Sequence, residues 1–179
     1  MEQQPSTENS IVIIKTYPDL ARELAKMMSF AKREVFLAPR YYEPAITSKL
    51  LSKFVEGVSI HMLDAKACGL ALEDRLRAAS SHDEKNRELI LRFLGAPETL
   101  IKVEKLDYSF VVVDGHACGI ELVNPVSPDN FYCAIRVESV PLAKELIGIF
   151  NDLANSRIRN RSTVETPKPI ATIQSSGRQ

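Results

Sequence analysis

The sequence predicts an α/β domain with a mixed sheet and helices on both faces. Three observations carry this. Between Ile11 and Leu63 short apolar runs alternate with stretches of helical period; between Thr99 and Val137 strand-like runs follow one another directly; and one amphipathic stretch after Pro141 closes the pattern. The first section reads as βαβαβ, which implies parallel strands with covering helices, and the second as an antiparallel run. With 179 residues, 45% of them hydrophobic, the chain can bury one ordinary core. The expected division is a disordered segment 1–10, a folded domain 11–154 and a disordered basic tail 155–179.

Ile11 to Ile14 is a short all-apolar strand. Thr16, Pro18 and Asp19 then supply a cap, an early proline and a first-turn acid, and Leu20, Leu24, Met27 and Ala31 recur at helical spacing. Glu34 to Ala38 is a second strand, closed by Pro39. Pro44 opens a helix whose Ile46, Leu50, Leu51 and Phe54 share a face until Gly57 stops it, and Val58 to Leu63 is a third strand. Leu70 to Ala79 and Glu84 to Leu94 read as two helices, with Ser81 as the cap of the second and Glu84 at the capping-box position. Strands follow at Thr99 to Glu104, Tyr108 to Val113, Ala117 to Val123 and Phe131 to Val137, joined by three hairpin-like connections. In the last helix Leu142, Leu146, Ile149, Phe150 and Leu153 line one face.

Composition narrows the function. Formal net charge is zero, but 155–179 carries Arg157, Arg159, Arg161, Lys168 and Arg178 against Glu165 alone. The folded part is therefore mildly acidic, which argues against a nucleic-acid surface spread over the whole domain. No run of eighteen apolar residues exists and Met1 to Ser10 is polar, so neither a membrane span nor secretion is indicated and a cytoplasmic protein is expected. Cys68, Cys118 and Cys133 read as free thiols, and His61, His82 and His116 form no metal-ligand spacing with them; no metal and no cofactor are expected. His61 within an apolar strand reads as a core histidine, and His116 at a hairpin tip as an exposed one.

Asp107-Tyr-Ser-Phe-Val-Val-Val-Asp114-Gly115, followed by Gly119, Glu121 and Asn124, is the most informative stretch. An apolar run ending in Asp-Gly is what a buried strand entering a tight hairpin looks like, since Gly accepts positive φ and Asp bonds its own backbone. The same stretch resembles the signature strand of the phospholipase D superfamily, in which His, one residue, Lys, four residues, Asp and Gly are followed by a Gly and an Asn of the same pocket. Counting back from Asp114 places Asp107 at the His position and Ser109 at the Lys position. The resemblance covers about residues 11–154 and implies a single phospholipase D-like half: βαβαβ, then antiparallel strands, then a closing helix. In such enzymes the His attacks phosphorus and the Lys neutralises the phosphate oxygens; an acid and a hydroxyl do neither. Ile11-Val-Ile-Ile, Arg40-Tyr-Tyr and the Val-Asp-Gly hairpin look similar to the effector-binding domains of TrmB-type archaeal transcriptional regulators, which carry a winged helix before this domain.

In open α/β sheets the crevice lies beyond the carboxyl ends of the parallel strands. That rule selects Arg40, Tyr41 and Tyr42 past the second strand and Asp64 and Lys66 past the third. The resemblance adds Asp107, Ser109, Glu121 and Asn124. Asp107 and Ser109 are expected on one face of a strand. A buried Glu121 or Asp107 needs a donor, for which Arg40 and Lys66 are the candidates. Arg40 with Glu43 also fits a solvated pair, and Tyr41 with Tyr42 a lid over the core.

The expectation is a noncatalytic domain that binds a small polar ligand, or mediates assembly, in transcriptional control. The resemblance implies a homodimer, because in that superfamily two halves meet at the pocket, and a DNA-binding partner protein that supplies the reader this stretch lacks. Two other readings stay open: a phosphodiesterase with displaced residues, His61 or His116 acting as nucleophile, and a DNA-associated factor that binds through its basic tail.

Overall fold

A computed structural model of the chain describes residues 11–40, 44–65, 72–82, 84–127 and 130–162. The elements run β1 (Val12–Ile14), α1 (Tyr17–Phe30), β2 (Glu34–Ala38), α2 (Pro44–Val55), β3 (Ser59–Ala65), α3 (Leu72–His82) and α4 (Glu84–Gly95). Then come β4 (Leu100–Val103), β5 (Phe110–Val113), β6 (Ala117–Val123), β7 (Phe131–Glu138) and α5 (Val140–Ser162). The strands form one mixed sheet in the order β1-β7-β6-β5-β2-β3-β4. Only β2 with β3 and β3 with β4 are parallel; the other four pairings are antiparallel.

Period two divides each central strand between two cores. Val35, Leu37, Ile60, Met62, Val111 and Val113 pack under α1 to α4. Phe110, Val112, Cys118, Val137, Leu63 and Ala38 pack under α5, whose Phe150 meets Phe36 edge-on at 5.3 Å. All four residues of β5 are buried, as expected of a strand covered on both sides. Burial pushes the Cys118 thiol up to about 11, so it is an inert packing residue. The Thr16 cap is present: its hydroxyl accepts the Asp19 N–H at 3.3 Å and donates to the Asp19 carboxylate at 2.6 Å.

Four expectations are corrected. β1 does not join the parallel set; it lies at the far edge, antiparallel to β7. Apolar periodicity identifies a strand without choosing its partner, and here β5 already occupies the flank of β2 opposite β3. β4 and β5 form no hairpin, because β4 pairs with β3 at one edge and β5 with β2 at the centre. The six residues between them have a reach of ~20 Å, enough to cross three strand spacings of ~4.8 Å each. Ser81 does not cap α4: its hydroxyl donates to the Ala78 carbonyl at 2.7 Å, as serines in a final helical turn do. Finally, α5 runs on to Ser162, past the boundary expected at 154, since neither Gly nor Pro interrupts Asn155 to Ser162.

The β5–β6 turn is tied to the centre of the sheet. Asp114 and Gly115 both have positive φ, 53° and 73°, and the His116 N–H donates back to the Val113 carbonyl at 3.2 Å, giving the mirror-image turn that Asp-Gly favours. The Asp114 carboxylate accepts the backbone N–H groups of Arg33 at 2.8 Å, Lys32 at 3.0 Å and Glu34 at 3.1 Å. Burial raises the pKa of this carboxyl, but the bonds from Glu34, Arg33 and Lys32 outweigh burial and hold it below the ordinary value. Its contribution to stability is therefore fully present above the unfolded carboxyl pKa and is lost as pH falls through the lower folded one. Asp114→Ala should cost about 2–3 kcal/mol at neutral pH. In denaturant titrations the gap between wild type and variant should narrow below the ordinary Asp pKa; a gap that stays constant with pH would contradict the clamp.

Gly119 on β6 has no room for a side chain, since an added Cβ would stand 2.9 Å from the Val111 Cγ1. Gly119→Ala should destabilise by about 1–3 kcal/mol by overpacking, read as a lower melting temperature, whereas Gly95→Ala, with open space at its Cβ, should not be overpacked.

Candidate functional site

The two corrections to topology do not disturb the crevice rule, because β2 and β3 are still parallel neighbours and their carboxyl ends still point the same way. A cavity of about 320 Å³ opens there, on the face covered by α1 to α4. Strand pairing stacks its wall in two rows. Leu37 aligns with Met62 on one side and Val111 on the other, and Val111 aligns with Gly119, forming an aliphatic row closed over by Leu24 and Leu50. Two residues nearer the mouth, Asp64, Pro39, Ser109 and Glu121 form a polar row, in which the Glu121 N–H donates to the Ser109 carbonyl at 2.9 Å.

Arg40 and Glu121 meet across this row. Their Nη1 and Oε1 atoms are 3.7 Å apart, and the side chains are 13% and 2% exposed. This is the donor expected for a buried Glu121. The separation exceeds the ~2.8 Å of a charge-assisted hydrogen bond, so the pair is electrostatic and loosely seated. Asp64 is also buried and also lines the cavity, but its oxygens accept the N–H groups of Leu72 at 2.7 Å and Glu73 at 3.4 Å. It caps α3 across the gap between strand and helix. Burial pushes its carboxyl above the ordinary range despite those two bonds.

Three of the nine expected site residues, Tyr41, Tyr42 and Lys66, lie outside the described residues, as does Cys68. Arg40, Asp64, Ser109 and Glu121 are brought together. Asp107 and Asn124 are not. Asp107 and Ser109 do not share a strand face, because β5 begins at Phe110; the Asp107 side chain is 62% exposed and pairs with Lys105 at 2.5 Å. Asn124 accepts the N–H groups of Val126 at 3.0 Å and Ser127 at 3.1 Å, which makes it the pivot of a local turn beyond β6. Tyr17, Thr47 and Arg75 line the cavity without having been expected. Each sits in the opening turn or so of α1, α2 or α3, and helix starts converge at strand carboxyl ends; that rule, applied to helices as well as strands, would have found them.

His61 stacks on Phe36 at 4.6 Å on the α5 side, and His116 is exposed at the β5–β6 turn. Neither lines the cavity. Among the described residues no group of three His, Cys, Asp or Glu is placed to hold a metal ion, and no helix is long and apolar enough to cross a membrane.

No family model and no curated protein matches the chain. Solved structures do match. The archaeal chromatin protein TrmBL2, whose structure shows a novel mode of DNA binding, superposes with a TM-score of 0.62 at 15% identity over 83% of this chain and 53% of that one, so the chain spans about half its length. Nuc of Salmonella typhimurium, a phospholipase D family member, gives 0.60 at 14% identity over 83% of this chain and 95% of that one. NucT of Helicobacter pylori gives 0.59 at 12% identity, with 83% and 98% covered. Joined to the mixed sheet and its helices, these likenesses show that the chain has a phospholipase D-like fold similar to that of TrmB-type proteins.

Proposed function

We propose that this domain senses a small ligand in transcriptional control and does not catalyse. One observation carries the reading. Of the two positions at which the phospholipase D-like signature calls for nucleophile and cation, Asp107 stands in solvent beside Lys105 and Ser109 offers the cavity a hydroxyl. Phosphoryl transfer needs a nucleophile within reach of phosphorus and positive charge on its oxygens. His61 and His116 point elsewhere, and the Arg40 guanidinium is answered by Glu121. The ligand contacts are Arg40, Ser109 and Glu121, with Asp64 holding α3 in place as wall; Tyr41, Tyr42 and Lys66 belong to the segments that follow β2 and β3. Likeness to a chromatin protein that binds DNA supports a role beside DNA. The domain pairs as a homodimer, and a strict monomer at tens of micromolar in a light-scattering measurement would count against it.

The test pairs two measurements. Purified protein incubated with an activated phosphodiester such as bis(p-nitrophenyl) phosphate should release no product above buffer. A metabolite screen by thermal denaturation should yield a stabiliser worth about 2.7 kcal/mol at a hundredfold excess over Kd. Turnover that disappears in His61→Ala or His116→Ala would replace sensing with displaced catalysis.

A further inference from the structure

The chemistry of the cavity defines the head group it can accept. Among the described residues, four charged side chains line it, two cations and two anions: Arg40, Arg75, Asp64 and Glu121. Among these four the charges balance. Asp64 is committed to the α3 backbone and Arg75 reaches the cavity from α3, so the charges of the polar row itself, beside Pro39 and Ser109, are Arg40 and Glu121, already 3.7 Å apart and almost removed from water.

A ligand that enters this row must satisfy both partners at once. An anionic head drawn to Arg40 leaves the buried Glu121 facing a second negative charge, and a cationic head does the converse to Arg40; in a low-dielectric site either outcome is heavily penalised. A head that donates to Glu121 and accepts from Arg40, with no net charge, extends the pair into a connected network and costs neither group its compensation. Beneath the head lies the row Leu37, Met62, Val111 and Gly119, which has no polar side chain to offer, and Leu24 and Leu50 close it from the helices. The side of the ligand that points inward is therefore aliphatic. At ~30 Å³ per water-sized unit, 320 Å³ holds a small molecule only.

We propose, resting on the sensing reading above, that the cavity takes a small amphiphile of zero net charge: a head that both donates and accepts hydrogen bonds, hydroxyl, amide or amino-acid zwitterion, on a short aliphatic body. Phosphate esters and simple fatty acids are excluded. A fold whose superposable relatives include phospholipase D family members thus presents, here, a pocket that repels the phosphoryl group.

The experiment measures binding of five compounds with a six-carbon chain by calorimetry: hexanol, norleucine, hexylammonium, hexanoate and hexyl phosphate. In wild-type protein hexanol or norleucine should bind at least tenfold more tightly than any of the three charged compounds. Glu121→Gln removes the anion and keeps the shape, and should shift preference toward hexanoate by a further tenfold; circular dichroism verifies that it is folded. The wild-type ranking stands without any variant. Tighter binding of hexanoate or hexyl phosphate to wild type overturns the neutral head and leaves sensing intact. So does binding of none of the five while the metabolite screen returns a stabiliser. If neither the five compounds nor the screen binds, the sensing reading falls with it.

Discussion

The architecture turns on one carboxylate. Asp114 draws three consecutive backbone N–H groups, those of Lys32, Arg33 and Glu34, onto the hairpin between β5 and β6. That contact is also the point at which the parallel β2–β3–β4 portion is joined to the antiparallel β5–β6–β7 portion, since β2 and β5 pair directly and the Asp114 N–H donates to the Glu34 carbonyl at 2.9 Å. The register of this seam decides which residues share a row. Leu37 faces Val111, and the next row toward the mouth follows from it: Pro39, Ser109 and, across β6, Glu121. A slip of one residue would send every one of these side chains to the α5 face.

Much of this was readable from residues alone. Thr16 with Pro18, the apolar runs of β2 and β3, and the Asp-Gly turn carry local signals strong enough to survive tertiary packing. The crevice at the carboxyl ends of β2 and β3 followed from topology, which pointed to Arg40 and Asp64, while the motif resemblance pointed to Ser109 and Glu121; all four line one cavity. What the residues hid was non-local. The edge placement of β1 and the separation of β4 from β5 depend on which strands reach the centre first in space, about which period two is silent. Asp107 was misplaced for a related reason: motif spacing assumes that the strand is regular back to its first residue, and β5 starts only at Phe110.

The same acid chemistry performs opposite work at two positions. Asp114 gains three backbone donors and is held in its charged form below the ordinary range, whereas Asp64 gains two, one of them long at 3.4 Å, and burial lifts it above. Number and quality of donors, weighed against the loss of water, decide the sign. One side chain secures the sheet and the other secures α3, so the walls on either side of the Arg40–Glu121 pair are anchored independently of whatever the cavity contains.

The solvent-facing position of Asp107 has a consequence for redesign. An imidazole installed at that site would stand outside the cavity beside Lys105. Bringing any side chain at position 107 onto the cavity wall would demand a longer β5, which begins only at Phe110, so the main chain and not the residue type sets what this position can reach.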